Sequence, residues 1–339
     1  MIFLVINFHY IHEDDKFPYP GIYATPPDRF TNQLDRLAQH FDFISQNDVV
    51  DALEGRKKLP KRSCLITCDD GLKSQYENAL PILQKKGIPA VFFVHGLPYK
   101  EKKACLVHKI HWLRANLPPQ DFVKEIDQGL RRVMKKPLDY FLTRAKIEKG
   151  KYRYDEPEIA KLKFILNCIV PEKYRERVVD EIFQKVVGNE ARFCERFYMS
   201  EKEISHLHQF SFLGIHSFAH RPLSQLSRKQ LKEDIGGNLE VVYRIIGNKN
   251  IHSISYPYGN HTDFSPQVIP ICKSFGLKCG FTGERAFNRT LEQPFLFARL
   301  DTNDAPGGKN LTFDFRSTRL TTFQGTTSRR RVYFEENYD

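Results

Sequence analysis

Short runs of apolar, β-branched and aromatic residues recur near the start of the chain and again beyond position 210. They cover Ile2 to Phe8, Phe41 to Ser45, Cys64 to Cys68, Pro89 to His95, Phe212 to His216, Ile251 to Tyr256 and Lys278 to Thr282. Runs of this length bounded by turn residues predict buried strands. Between them apolar residues fall at helical spacing, as in Phe30, Leu34, Leu37 and Phe41, and again in Leu231, Ile235, Leu239, Val242 and Ile246. Strands alternating with helices predict an α/β fold with parallel strands and right-handed crossovers. From 97 to 200 the pattern changes to successive amphipathic helices, with Pro118, Pro119, Pro137, Pro157 and Pro171 as start and stop signals, and this predicts a helical insert. Residues 326–339 are polar and aperiodic, as a loosely held tail would be. The expected organisation is therefore one α/β unit over 1–325, interrupted by the 97–200 insert and followed by the 326–339 tail.

Composition adds three constraints. A hydrophobic share of 41% over 339 residues excludes a disordered or fibrous chain. The 52 Lys and Arg against 41 acids give a net +11, and the insert alone carries 23 against 15, or +8. Such an excess attracts polyanions, whether phosphate, nucleic acid or acidic lipid, and charge by itself does not choose among them. The seven cysteines form no Cys-x-x-Cys pair, which predicts reduced thiols and a cytoplasmic location. No Lys or Arg precedes position 16 and the first apolar run is short for a signal peptide, so export by that route is not expected. No apolar stretch reaches the ~18 residues of a membrane span.

Two segments carry candidate chemistry. Leu65 to Gly71 is a buried-strand run ending in the adjacent carboxylates Asp69 and Asp70. Two carboxylates held together repel unless a proton or cation lies between them, although Asp-Asp-Gly is also ordinary turn chemistry. His216 and His220 are four residues apart just after a strand, a spacing that lets two imidazoles reach one ion and that also occurs in surface or capping histidines. Joined with Asp70 they make a set of two nitrogens and one oxygen with positions left for water and substrate, as catalytic zinc favours.

With these motifs the chain resembles the NodB-homology polysaccharide deacetylases, metal-dependent hydrolases of N-acetylated amino sugars. Thr67-Cys68-Asp69-Asp70 is similar to the family's first motif, with Cys68 in place of an aromatic residue, and His216-Ser217-Phe218-Ala219-His220 to its second. Ser255-Tyr256-Pro257-Tyr258-Gly259 is similar to the third, with Ser255 where the family carries an Arg that holds the base. No His follows His261, so the late motif with the general acid is missing. Asn7-Phe8-His9-Tyr10-Ile11 and Thr25 to Phe30 instead resemble the permuted poly-N-acetylglucosamine deacetylase branch, in which an early histidine is the acid. Arg299-Leu300-Asp301 resembles the fourth motif.

The resemblance implies a distorted (β/α) barrel and a divalent metal, zinc by ligand type, on Asp70, His216 and His220. It further implies Asp69 as base, His9 as acid, the Tyr258 backbone N–H at the oxyanion, Asp301 as orienter of His9 and Arg299 as a cation near Asp69. The implied reaction is removal of an N-acetyl group from an amino sugar. A cytoplasmic enzyme would meet that sugar as a nucleotide- or lipid-pyrophosphate-linked precursor of surface polysaccharide or O-antigen. The basic insert is then either a solvated helical face or a lid that meets the phosphate, with peripheral membrane contact as a further use and no nucleic acid expected. His108, His111 and Trp112 on the insert read as packing or interface residues. The rivals are release of a formyl or O-ester group at the same site, and a silent protein that binds a polyanion.

Overall fold

The computed structural model describes residues 1–13, 16–145 and 157–309, with two short strands at 313–314 and 319–320. The expected tail at 326–339 lies outside the described residues. The strands that position the site are β1 (Ile2–Phe8), β2 (Asp42–Phe43), β3 (Arg62–Cys68), β4 (Ala90–Val94), β5 (Leu213–Ile215), β6 (Ser253–Ser255), β7 (Cys279–Phe281) and β8 (Leu300–Asp301). Their order is β7-β6-β5-β4-β3-β1-β8, with β2 beside the start of β3, and every pairing is parallel.

Parallel strands are covered on both faces, which is why they appeared in the sequence as continuous apolar runs. Leu4, Ile6 and Phe8 of β1 and Phe92 and Val94 of β4 pack outward against helices α1 (Pro27–Ala38), α3 (Leu80–Lys86) and α12 (Arg228–Ile246). The alternate residues Phe3, Val5, Leu65, Val91, Phe93 and Phe281 form a second core with Phe297. Phe297 bonds through its backbone to Gly280 and Thr282, so the segment leading into β8 also meets β7. The result is a curled, nearly closed parallel sheet with an outer helical layer, the expected distorted (β/α) barrel. β8 is the strand that the hydrophobic pattern did not announce, because two residues are too short to show a period.

Between β4 and β5 the chain forms α4 (Leu97–Lys100), α5 (Leu106–Asn116), α6 (Pro119–Met134), α7 (Leu138–Leu142), α8 (Pro157–Phe164), α9 (Glu172–Val187) and α10 (Glu190–Phe197), then α11 (Glu201–Gln209) beside α12. Phe122, Ile126 and Leu130 lie on one face of α6 and pack with Val179, Ile182 and Phe183 of α9. Tyr10, Ile22, Ala24 and Leu72 of the barrel belong to the same apolar cluster, so the helices are seated on the barrel. Backbone contacts add to this: Met199 N donates to Gly71 O at 2.9 Å, and Leu72 is bridged to Tyr198. Six of the seven cysteines have described side chains, and all six are free and buried.

Phe93 is fully buried against Phe281 and the open Cα of Gly214. Phe93→Ala should lower unfolding stability by about 3–5 kcal/mol through transfer and cavity costs, read from urea denaturation midpoints.

Candidate active site

Parallel strands present their functional side chains at their carboxyl ends, where the chain leaves the sheet. Here those ends carry Asn7 on β1 and His9 after it, Asp69 and Asp70 after β3, His95 after β4, His216 after β5, Ser255 on β6 and Arg299 entering β8. Asp69 N still donates to Phe8 O at 2.9 Å, but Asp70 and Gly71 turn sharply at φ 85° and 62°. That turn lets both carboxylates face one cleft. Ser217, His220 and Tyr258 are also held at positive φ, and such conformations persist only where surrounding contacts impose them.

Asp69 is buried and fully engaged. Arg299 grips it with two bonds, Nη1 to Oδ1 at 2.9 Å and Nη2 to Oδ2 at 2.8 Å. Asn7 Nδ2 and Ser255 Oγ donate to Oδ2 at 3.0 and 3.1 Å, and Arg299 Nη2 also reaches Ser255 Oγ at 2.8 Å. Burial alone would raise the Asp69 pKa, but the Arg299 guanidinium outweighs it and holds the carboxyl well below the usual carboxylate range. The cation absent from position 255 is thus supplied from residue 299, and Ser255 bridges the pair. His9 Nε2 lies 4.0 Å from Asp69 Oδ2 with its side chain 39% exposed, so it faces the same cleft from the solvent side. Gln75 Nε2 donates to the backbone oxygens of both His9, at 2.8 Å, and Asp69, tying the two together from beneath.

Asp70 is the centre of an imidazole cluster. Its Oδ1 is 3.2 Å from His95 Nε2 and 3.6 Å from both His216 Nε2 and His220 Nε2. Its Oδ2 is 3.2 Å from His108 Nε2. Burial lowers the pKa of His216 to about 4 and that of His220 well below the ordinary value, so both rings are neutral near pH 7. His216 Nδ1 faces the Ser255 carbonyl oxygen at 2.7 Å. A carbonyl can only accept, so Nδ1 carries the proton and the Nε2 lone pair faces two carboxylates, Asp70 Oδ1 at 3.6 Å and Asp69 Oδ2 at 3.8 Å. Acceptors facing acceptors inside a protein call for a cation between them. Asp70, His95, His216 and His220 offer donor atoms all within 4.8 Å of one another, and this N/O set fits a divalent ion.

The other expectations are placed as follows. The Tyr258 ring stands edge-on to His220 at 4.7 Å, in a turn where Gly259 N bonds Pro257 O. Asp301 is in register with Asn7, but its Oδ1 accepts from Asn303 N and Nδ2, each at 2.8 Å. No hydrogen bond joins it to His9, because the turn after β8 engages it. His108, read as a packing residue, has its Nε2 beside a carboxylate of the cluster. Three residues went unassigned from sequence: His95, Asp234 and Asn238. The signal for His95 was its place at the end of an apolar run, on the same edge as Asp69 and His216. Asp234 and Asn238 lie one turn apart on α12. Asp234 Oδ1 accepts from Phe218 N at 2.9 Å, and Asn238 Nδ2 donates to Ser217 O at 2.7 Å and Val94 O at 3.0 Å. Together they clamp the loop that carries both histidines.

A buried carboxylate gripped by a guanidinium and a cluster of imidazoles thus sit at the mouth of a curled parallel sheet of the (β/α)-barrel class. A family model described as "Polysaccharide deacetylase" matches residues 56–132 and 200–280, so these parts of the chain are similar to polysaccharide deacetylases. These are hydrolases of the amide bond in N-acetyl groups. Among solved structures, the deacetylase PplD of Streptococcus pyogenes in complex with acetate is 15% identical, covers 94% of this chain and 99% of its own, and superposes with a TM-score of 0.54. IcaB from Ammonifex degensii is 21% identical over 88% of this chain and 91% of its own, with a TM-score of 0.51. A de-N-acetylase from Aggregatibacter actinomycetemcomitans is 15% identical over 89% and 96%, also at 0.51. At these identities the likeness shows the fold. No curated protein matches the chain.

Burial pushes the Asp234 pKa up to about 6 from 3.8. A folded-state value above the unfolded one means that folding favours the neutral acid, so stability falls as pH rises through that window. Asp234→Asn should remove a pH-dependent difference on the order of 3 kcal/mol between about pH 4 and 6, seen as a flatter plot of denaturation midpoint against pH.

Proposed function

We propose that the chain hydrolyses the N-acetyl group of an amino sugar with a divalent ion, zinc by donor chemistry, held by Asp70, His216 and His220. The observation that carries this reading is Asp69, kept ionised by Arg299 with its Oδ2 3.8 Å from His216 Nε2 and 4.0 Å from His9 Nε2. The ion supplies Lewis-acid polarisation of the amide carbonyl and acidifies water when bound. Asp69 takes the proton of the attacking water, and Asn7, Ser255 and Arg299 fix the direction of its oxygens. His9 gives a proton to the departing nitrogen, which an amide needs before it leaves. The Tyr258 backbone N–H stabilises the oxyanion from its strained turn.

A substrate linked to phosphate would approach through the cavity of about 530 Å³ between barrel and insert, which His220 and Tyr258 line. Five Lys and Arg there meet six Asp and Glu, and Arg221 is paired with Glu172 at 2.8 Å, so the lining is balanced. The support for a nucleotide- or lipid-pyrophosphate-linked precursor of O-antigen type therefore comes from the exposed Lys100 and Lys103 and from the insert's net +8. The six free, buried thiols favour a reducing compartment, and the proposed location is the cytoplasm.

Asp69→Asn should cut acetate release by about 10²- to 10⁴-fold while zinc content and the circular-dichroism spectrum stay unchanged. His9→Ala should lose activity in the same range, and a chelator should abolish activity in the wild type until zinc is restored. Acetate released from N-acetylglucosamine oligomers and from a nucleotide-linked N-acetyl sugar, compared at equal concentration, decides between polymer and precursor.

A further inference from the structure

We infer that His95 is a fourth protein ligand of the proposed ion, giving a centre of three imidazoles and one carboxylate oxygen. The inference rests on the metal reading above and adds a residue to it. His95 is 1% exposed and closes β4, the strand between those that carry Asp70 and His216. Its Nδ1 faces the Ser217 carbonyl oxygen at 3.3 Å and its Nε2 faces Asp70 Oδ1 at 3.2 Å. A neutral imidazole has one N–H, and the carbonyl can only accept. With Nδ1 protonated toward Ser217, the Nε2 lone pair points at a carboxylate, the same arrangement as in His216. Outer bonds of this kind set the tautomer of metal-bound histidines.

The distances fit one ion. Around a tetrahedral zinc with bonds of about 2.0–2.1 Å, neighbouring donor atoms lie about 3.3 Å apart. Asp70 Oδ1 is 3.2, 3.6 and 3.6 Å from the Nε2 atoms of His95, His216 and His220. The second oxygen of Asp70 faces a different imidazole. The Tyr198 hydroxyl accepts from Cys105 N at 3.0 Å and lies 2.6 Å from His108 Nδ1. His108 Nε2 lies 3.2 Å from Asp70 Oδ2, while Oδ1 is the oxygen that faces the other three imidazoles. With four protein donors a bound zinc ion would take water and substrate only by rising above four-coordination.

The test loads the wild-type protein with one equivalent of zinc, measures the bound ion by elemental analysis and counts imidazoles by X-ray absorption spectroscopy at the zinc edge. Three imidazoles are expected. In His95→Gln, two should remain, and zinc affinity in competition with a chromophoric chelator should fall at least tenfold. Two imidazoles in the wild type would overturn the inference, leaving His95 as a proton-bearing prop for Asp70. An unchanged affinity in a folded His95→Gln protein would overturn it as well. If the wild type held no stoichiometric ion, the proposed function would fall together with this inference, whereas a two-imidazole zinc site would leave that function standing.

Discussion

Two adjacent carboxylates are buried at the end of β3, and much of the site follows from keeping both charged. Neither can be left uncompensated, because an isolated buried charge is far more costly than a paired one. The chain solves the problem differently for each. Asp69 receives a guanidinium in bidentate contact, with Asn7 and Ser255 satisfying its remaining capacity. Asp70 receives neutral imidazoles, which relieve it only in part, and the proposed ion would complete its compensation. In the proposed mechanism the first carboxylate acts on protons and the second holds the ion. This division of labour is the physical core of the proposed deacetylase mechanism.

The sheet was legible in the sequence because strands covered on both faces must be apolar throughout, and seven such runs were visible. The donor set was legible where residues sit close in sequence, as in Asp69-Asp70 and His216 to His220. Contacts made across the fold were hidden from spacing and periodicity, and only the resemblance placed Arg299 near Asp69. Arg299 lies 230 positions from Asp69, and its role depends on β8 running beside β1, a pairing of two residues with no period of its own. Asp234 and Asn238 looked like polar residues on a helix, since nothing local marks that α12 lies beneath the histidine loop. Asp301 shows the opposite case, in which a familiar motif position is engaged by a local Asn303 turn.

The helices between β4 and β5 bear on the site more directly than their charge suggested. Lys109 is paired within the helices, with Asp180 and Glu190, and across the boundary Arg221 of the barrel pairs with Glu172. What reaches inward is neutral: the imidazole of His108, backed by the Tyr198 hydroxyl. Surface charge and site chemistry in this segment are therefore separate matters, the one a question of encounter and the other of geometry.

The seam where Met199 bonds to Gly71 also bears on how the protein could be altered. Because Gly71 directly follows Asp70, replacing the 97–200 helices by a short loop would not trim an ornament. It would release one wall of the turn that aims Asp70, and a minimised version of this barrel would have to rebuild that wall before it could retain an ion.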